Sequence, residues 1–352
     1  MTSSASEASP APVAEPEPAA RPAAARRSAT FAVAVDAMGG DRGPGEIVAG
    51  ARQAVEELDI PVLVVGRPEE LGDTGGLEVV PASEVIGMHE DPGQGVRRKK
   101  DASLVRAAEA VRDGRAAAMV SAGNTGAAMA SALLRMGRLP GVARPAIATP
   151  LPVPGSTHTV LLDAGANPEC TPEWLVQFAK MGSLFARERY DLAEPRVGLL
   201  SNGEEESKGT ALVKRTHALL SEGVGIRFVG NVEARELLSD AADVVVTDGF
   251  TGNVALKALE GGMKFFVSTL LGVMTASEEA KAAAKVLMPA LVPLMEEMDP
   301  ESTGGAMLLG VDGVCIISHG SSSAKAVVNA VRVAHDMVSR GLVDEMRRAV
   351  SA

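Results

Sequence analysis

The stretch VVVTDGFTGN, residues 244–253, sets the pattern of this chain. Its three valines predict a buried strand, and the polar residues and glycines that follow predict a tight turn into a helix. The same order of apolar run and glycine-rich turn recurs in AVAVDAMGGD (32–41), MVSAGNTGAA (119–128), VGLLSNGEEESKG (197–209) and VCIISHGSSS (314–323). Such a turn presents unpaired backbone N–H groups at a helix N-terminus, where phosphate and other anions bind favourably.

Outside these turns, apolar β-prone runs alternate with helix-like stretches. The predicted strands are 31–36, 61–65, 117–121, 145–151, 158–163, 196–201, 225–229, 242–247 and 312–317. The predicted helices are 44–57, 101–113, 125–136, 172–189, 205–221, 231–239, 253–273, 277–298 and 321–340. This alternation is typical of an α/β fold with three layers, α/β/α, around a mostly parallel sheet.

Two parts of the chain depart from the alternation. Residues 1–28 are rich in Ala and Pro without hydrophobic periodicity, which predicts a disordered tail before a single α/β domain over 29–352. Residues 253–300 contain no clear strand, which predicts a protruding helix pair. The second helix of this pair has an apolar stripe that fits a core or dimer-interface face or, alternatively, peripheral membrane contact through Leu287, Leu291, Leu294 and Met295.

The composition excludes several classes of function. A formal net charge of −11 and an aromatic content of 3% argue against nucleic acid as a partner. The two cysteines, Cys170 and Cys315, have neither metal-ligand nor CxxC spacing, so we expect no metal, no cofactor and a reducing cytoplasmic setting. No stretch approaches eighteen uninterrupted apolar residues, so no membrane span is expected.

Two of the turns carry side chains suited to catalysis. Lys208 is a candidate phosphate ligand because an ammonium is a compact charge that can neutralise an oxyanion; alternatively it is a solvated lysine paired with Glu204 or Glu205. Asn253 could donate its amide to a developing oxyanion. Asp248 could orient a donor, although capping the following helix is the commoner role for an aspartate there.

The other turn residues are candidates for holding phosphate or substrate. A single glycine turn of this kind is more often structural, and His319 fits a structural histidine at least as well, but five such turns at strand ends favour binding. No GxSxG elbow is present and neither cysteine has a basic partner, so covalent catalysis has little support. The candidate binding residues are Gly39, Gly40, Asp41, Ser121, Gly123, Asn124, Thr125, Asp248, Gly252, His319, Gly320 and Ser321.

One concentrated basic run stands out in this acidic chain. It consists of Arg97, Arg98, Lys99 and Lys100, just before a predicted helix that begins at Asp101. An isolated run of this kind is usually a solvated loop. Here it is also a plausible docking patch for an acidic carrier or for phosphate.

With these residues in view, the chain from Phe31 to the C-terminus resembles the PlsX-type phosphate acyltransferases of bacterial phospholipid synthesis. That family transfers a fatty acyl group from acyl carrier protein to inorganic phosphate. Seven ordered motifs carry the resemblance, which makes it highly specific. They are DAMGGD (36–41), RRKKD (97–101), SAGNTG (121–126), LDAGAN (162–167), GNVEAR (230–235), TDGFTGN (247–253) and HGSS (319–322).

The resemblance implies a fold similar to the isocitrate/isopropylmalate dehydrogenase and phosphotransacetylase group. It also implies a cytoplasmic homodimer, bound peripherally to the membrane through the helix pair, that passes acyl phosphate to a membrane glycerol-phosphate acyltransferase. Lys208 and Asn253 match the catalytic lysine and asparagine of the family. The alternatives are a short-chain phosphotransacetylase that uses acyl-CoA and a non-catalytic membrane scaffold.

Overall fold

The computed structural model describes residues 31–351; the tail predicted over residues 1–28 lies outside this range. Eleven strands are found in the described range: β1 (Val33–Asp36), β2 (Val62–Gly66), β3 (Glu78–Pro81), β4 (Ala118–Ser121), β5 (Ala146–Leu151), β6 (Thr159–Leu162), β7 (Arg196–Ser201), β8 (Arg227–Glu233), β9 (Val244–Val246), β10 (Ala306–Leu309) and β11 (Val314–Ile317).

Ten α-helices connect or cover the strands of the same range. They are α1 (Pro44–Leu58), α2 (Pro92–Arg98), α3 (Ser103–Arg112), α4 (Thr125–Arg135), α5 (Pro172–Tyr190), α6 (Ala211–Ser221), α7 (Gly249–Met274), α8 (Glu278–Glu297), α9 (Ala324–Ser339) and α10 (Leu342–Ser351).

The strands form one sheet in the order β3-β2-β1-β4-β11-β10-β5-β6-β9-β7-β8. Most neighbours are parallel, but β10 is antiparallel to both β11 and β5, and β5 is antiparallel to β6. As a result β6, β9, β7 and β8 run opposite to β1, β4 and β11. The expected α/β fold with a mostly parallel sheet is confirmed.

Alternating side chains of the strands enter separate cores on the two faces of the sheet. On β1, Val33 and Val35 join the cluster packed against α1, α5 and α9, whereas Ala34 joins the cluster packed against α3 and α4. Both faces are therefore covered, as a parallel sheet requires. The helices approach closely where side chains are small: a Cβ on Gly50 of α1 would lie 2.6 Å from the Val327 Cβ of α9.

Several predicted elements differ from the structure. The helix predicted over 231–239 is wrong, because β8 continues to Glu233 and only a single 3₁₀ turn follows. The helix predicted from residue 205 begins at Ala211, since residues 202–210 form a loop closed by a hydrogen bond from Gly209 N to Asn202 Oδ1, 2.9 Å. The elements β3, β10, α2 and α10 were not predicted.

Most of the helix pair α7–α8 stands clear of the sheet, although Ala255, Leu256 and Leu259 of α7 pack against its apolar clusters. Only Gly249 and Gly252 of α7 are buried, and no residue of α8 is. The second helix continues without a break through Pro289 and Pro293. At its far end the Glu297 carboxylate accepts from Gly155 N at 2.7 Å, which fastens α8 to the β5–β6 hairpin.

An ion pair closes the start of β7 against the segment before β9. The Arg196 guanidinium donates to both carboxylate oxygens of Asp243, at 3.1 and 2.8 Å, and to Asp240. Burial alone would raise the pKa of Asp243, but the hydrogen bonds from Arg196 bring it below its ordinary value. A lowered carboxyl pKa contributes stability above the unfolded-state pKa, and this contribution is lost as pH falls through the folded-state pKa.

Arg196→Ala is therefore expected to lower the free energy of unfolding at pH 7 by about 1–3 kcal/mol, because it leaves the Asp243 carboxylate without its cation. The loss should shrink as pH falls from about 4, the ordinary aspartate pKa, through the lowered pKa of Asp243, where the folded carboxylate becomes protonated. Urea unfolding across this pH range measures it. Arg115→Ala is the control: its ion pair with Glu78 is exposed, and about 0.5 kcal/mol or less is expected. Equal losses for the two variants at pH 7 would contradict the assignment.

Candidate active site

Polar side chains gather where the strands end, in two groups. The first strand-end group follows β1, β4 and β11 and contains Asp36, Ser121–Thr125 and His319–Ser321. The second strand-end group follows β6, β7 and β9 and contains Asp163–Asn167, Lys208 and Asp248–Asn253. The sequence predicted most of these residues, and the structure distributes them over two places.

The first strand-end group is built on the buried Asp36. The Ser121 hydroxyl donates to Asp36 Oδ2 at 2.7 Å and accepts from Gly123 N at 3.0 Å. Burial raises the pKa of Asp36 above its ordinary value, while hydrogen bonds from Ser121, Ser103 and nearby backbone N–H groups act against the rise. A Cβ on Gly39 would lie 2.5 Å from Gly123 N, so the turn after β1 needs a glycine there. The Ser121 hydroxyl is thus already bonded on both sides.

Asn124 is bonded within the protein through both of its side-chain polar atoms. Its Oδ1 caps α4 by accepting from Ala127 N at 3.0 Å, and its Nδ2 donates to the carbonyls of Gly87, Met88 and Glu90 at 3.0–3.3 Å. The side chain therefore joins α4 to the segment that leads into α2. Thr125 is exposed, and within residues 31–351 the N–H groups of Thr125 and Gly126 donate to no protein acceptor. The N-terminus of α4 is open to an anion.

The N-terminus of α9, after Gly320, is occupied. Ser321 N donates to His319 Nδ1 at 3.2 Å, so in the neutral ring the proton is on Nε2. Further along, Ser323 N and Ser323 Oγ donate to the Glu301 carboxylate, and Ala324 N donates to Glu46. Phosphate could reach these amides only by displacing a carboxylate. Binding roles for His319, Gly320, Ser321 and the neighbouring Gly40 and Asp41 stay predictions.

In the second strand-end group, Lys208 lies on the loop between β7 and α6. Its backbone N donates to Glu205 O, which also accepts from the buried Asn231 Nδ2, both at 2.9 Å. The lysine side chain is exposed, and within the described range its ammonium forms no hydrogen bond or ion pair. The alternative pairing with Glu204 or Glu205 does not form; Glu204 lies instead 3.7 Å from Arg235.

Asn253 lies in the first turns of α7. Its Nδ2 donates to Ala164 O at 3.1 Å, and the second amide hydrogen of this exposed side chain has no acceptor among residues 31–351. Asp248 caps the helix through Thr251, whose backbone N and hydroxyl donate to the two carboxylate oxygens at 2.8 Å each. A Cβ on Gly252 would lie only 2.0 Å from Asp163 O, so this position requires glycine. Close backbone contact therefore holds Asn253 over the loop after β6.

Sheet register places Lys208 and Asn253 at the same end of adjacent strands. In the parallel pair of β7 and β9, Leu199 is opposite Val246, and the two segments continue from there into their loops. The two strand-end groups follow strands of opposite direction, and no hydrogen bond joins them in the described part of the chain. They share one face of the sheet, because Leu256 of α7 packs against the apolar cluster that contains Ala127 and Ala128 of α4.

Of the four cations in the basic run, one is bonded within the protein and three are exposed to a partner. Lys99 Nζ donates to Val85 O at 2.7 Å and to Glu90 at 2.6 Å, and the hydrogen bond from Lys99 lowers the pKa of Glu90. The other three, Arg97, Arg98 and Lys100, are exposed and form no ion pair within residues 31–351. The two arginines occupy the last turn of α2, where positive charge is favourable.

The stripe expected on α8 is largely exposed. Leu287, Leu294 and Met295 face solvent, whereas Leu291 is half-buried. Further exposed apolar side chains lie on α7, among them Phe265 and Phe266, 73% and 62% exposed. These two aromatics were not singled out from the sequence. Among the described residues, no helix combines the length and apolar character needed to cross a membrane.

Two site residues were missed from the sequence, and both had a signal. Asp36 and Asp163 each follow three apolar residues, in VAVD and VLLD, so each ends a buried run with a carboxylate. Both prove to be buried, with exposures of 1% and 0%. A charged group in such a place has to be held by several hydrogen-bond donors, which makes it an organiser of its loop.

Comparison with known proteins identifies the family of the chain. The family model described as "Fatty acid synthesis protein" matches residues 31–345. Two curated relatives, both called phosphate acyltransferase, are 48% identical to the chain. The protein of Elusimicrobium minutum is matched over 91% of this chain and 96% of its own length, and that of Pelotomaculum thermopropionicum over 91% and 95%.

Solved structures show the same fold at low sequence identity. A phosphotransacetylase from Streptococcus pyogenes has a TM-score of 0.59 at 15% identity, covering 90% of this chain and 97% of that one. A branched-chain phosphotransacylase from Enterococcus faecalis has a TM-score of 0.55 at 16% identity, covering 88% and 99%.

The sheet topology and the likeness to solved structures define an α/β protein with the fold of the phosphotransacylases. Within that group the match over nearly the whole described range is decisive: the chain belongs to the PlsX-type phosphate acyltransferase family, the acyltransferases of fatty acid and lipid synthesis. The resemblance noted from the seven motifs is confirmed.

Proposed function

We propose that this enzyme transfers a long-chain fatty acyl group from acyl carrier protein to inorganic phosphate and releases acyl phosphate. The observation that carries the proposal is the pair formed by Lys208 and Asn253 at the same end of adjacent strands; among residues 31–351 the Lys208 ammonium has no partner and the Asn253 amide keeps one free hydrogen. Family membership supplies the phosphate acyltransferase chemistry.

The reaction needs no covalent enzyme intermediate. A phosphate oxygen attacks the thioester carbonyl carbon, a C–O bond forms, and the C–S bond breaks as the thiolate leaves and takes a proton from solvent. Lys208 would neutralise and aim phosphate, and Asn253 would donate to the tetrahedral oxyanion. Positioning converts a bimolecular encounter into an attack within one complex.

The cysteines support direct attack rather than an acyl-cysteine route. Burial raises the pKa of Cys170 to about 12, with the charges of Asp163 and Asp248 acting in the same direction. Burial alone raises the pKa of Cys315 to about 12. The thiolate is the nucleophilic form of cysteine, so neither residue supplies a nucleophile near neutral pH.

Removal of either donor is expected to abolish most turnover. With palmitoyl-acyl carrier protein as donor, Lys208→Ala and Asn253→Ala should each lower kcat by about 100- to 1000-fold, because each removes charge stabilisation made in the transition state. Phosphate-dependent release of free thiol measures the rate. Lys214→Ala, which removes an exposed lysine of α6, is the control and should keep wild-type turnover.

Near-normal turnover of Lys208→Ala or Asn253→Ala would remove that residue from the site. The same assay separates the alternative functions. Release mainly from acyl-CoA would favour a phosphotransacetylase, and no release from either donor would favour a scaffold.

Docking of the carrier protein is proposed at the basic patch formed by Arg97, Arg98 and Lys100. Acyl carrier protein is acidic, and these cations have no partner in the described range. The patch also lies near the open end of α4, because Asn124 bonds the segment that leads into α2. A carrier bound there would lie beside the open N-terminus of α4.

Charge reversal of Arg97, Arg98 and Lys100 to Glu is expected to raise KM for palmitoyl-acyl carrier protein about tenfold or more and to weaken its salt dependence, because steering by unlike charges is lost. Steady-state kinetics between low and physiological salt measures both effects. The uncharged donor palmitoyl-pantetheine, which lacks the carrier, should keep its KM. An unchanged KM for the carrier substrate would refute the patch.

Membrane contact is proposed through the exposed apolar side chains of the helix pair, with Leu287, Leu291, Leu294 and Met295 as the predicted residues. Several exposed apolar side chains on a helix pair that buries few residues fit insertion into a lipid interface. The homodimer and delivery of acyl phosphate to a membrane glycerol-phosphate acyltransferase stay predictions.

The wild-type protein is expected to sediment with phospholipid vesicles, and a Leu287→Asp, Met295→Asp double variant should lose most of this binding because two charges oppose insertion. Leu134→Asp, at an exposed leucine of α4, is the control and should bind like the wild type. Absence of wild-type protein from the vesicle pellet would refute the proposal.

A further inference from the structure

The loop after β6 is held by the buried carboxylate of Asp163. Its Oδ1 accepts from the backbone N of Ile147, Gly165 and Ala166 at 2.9–3.1 Å. Its Oδ2 accepts from Asn167 N at 2.7 Å and from Asn167 Nδ2 at 2.8 Å. All five partners are N–H donors, and a carboxylate, which accepts at both oxygens, matches that set.

The same loop is the surface on which α7 begins. Asn253 Nδ2 donates to Ala164 O, and Gly249 N donates to Asn167 O at 2.8 Å. The two glycines of this turn bring the helix against Asp163 itself, since a Cβ on Gly249 would lie 2.9 Å from Asp163 Oδ2 and a Cβ on Gly252 would lie 2.0 Å from Asp163 O. The position of the Asn253 amide therefore depends on the position of the Asp163 loop.

We infer that Asp163 is a positioning residue: it fixes the Ala164 carbonyl that orients Asn253, and through Asn253 it sets the oxyanion donor. This inference rests on the proposed function of Asn253. Asp163 itself is not accessible to substrate, because its carboxylate is enclosed by its five donors and is fully buried. Its effect on the reaction is carried by one hydrogen bond of Asn253.

Asp163→Asn is the informative variant, because it keeps the shape and replaces one acceptor with an N–H₂ group that faces N–H donors. The loop should loosen and Asn253 should lose its alignment. We expect kcat to fall about 10- to 100-fold, with KM for phosphate changed by less than about threefold, since a misplaced donor weakens the transition state rather than ground-state binding.

A double-mutant cycle separates positioning from general damage. In the Asn253→Ala background, Asp163→Asn should lower kcat by less than about threefold, because the donor it orients is already absent. Val160→Ala, on β6, is the stability control: it removes buried methyl groups without touching the loop, so it should lower the melting temperature and keep kcat within about twofold of the wild type.

Each outcome has one meaning. If the double variant loses kcat by the full product of the Asp163→Asn and Asn253→Ala losses, the two residues act independently. That result would overturn the positioning role of Asp163 and leave the proposed site intact. Wild-type turnover of Asn253→Ala would overturn the proposed site itself. If Asp163→Asn does not fold, Asn167→Ala replaces it in the same cycle, since it removes one of the five donors, and the same loss of effect in the Asn253→Ala background is expected.

Discussion

Helices cover both faces of the sheet, and the rest of this structure depends on that constraint. All residues of β1, β4, β6, β9 and β11 are buried. A polar side chain along such a strand would need partners that apolar helices do not offer, so polar residues appear where strands end and loops begin. Burial of the strands on both faces therefore explains both why polar residues follow the apolar runs in the sequence and why the proposed site lies at strand ends.

The donors that make these strand ends attractive to phosphate are largely used by the protein itself. Asp248 occupies the N-terminus of α7 and Glu301 occupies that of α9. Asn124 caps α4 by accepting from the backbone N–H of Ala127 only. The two preceding N–H groups, of Thr125 and Gly126, have no acceptor among the described residues. Anion binding and helix capping draw on the same N–H groups. Which helix end remains available is thus decided by a few side chains around it.

The sequence predicted the architecture well because strand periodicity and glycine turns are local signals. Where prediction was wrong, non-local contacts prevailed: residues 231–233 complete β8 because β7 lies beside them, with Ser201 opposite Glu233. The edge strand β3 was missed because it is short and only one of its four residues is buried.

Within the candidate site, Lys208 and Asn253 were predicted by residue type and by resemblance to the family. The carboxylates that organise the loops could not be assigned in the same way. The partners of Asp163 include Ile147 on another strand, and the Ser121 hydroxyl that binds Asp36 comes from a distant part of the chain. Contacts of this kind exist only once the sheet is assembled. A carboxylate at the end of an apolar run is nonetheless a usable sequence signal for a residue that organises the following loop.

The long helix α7 is continuous in geometry but uneven in stability. Its first turns are fixed to the loop after β6, whereas the remainder buries no residue and contains Gly261, Gly262 and Gly272, each of which weakens a helix by about 0.5–1 kcal/mol relative to alanine. Opening of the distal segment with α8 costs little buried surface. We therefore expect this segment to be a separate cooperative unit, whose amides exchange with solvent before those of the sheet while the anchored turns around Asn253 stay folded.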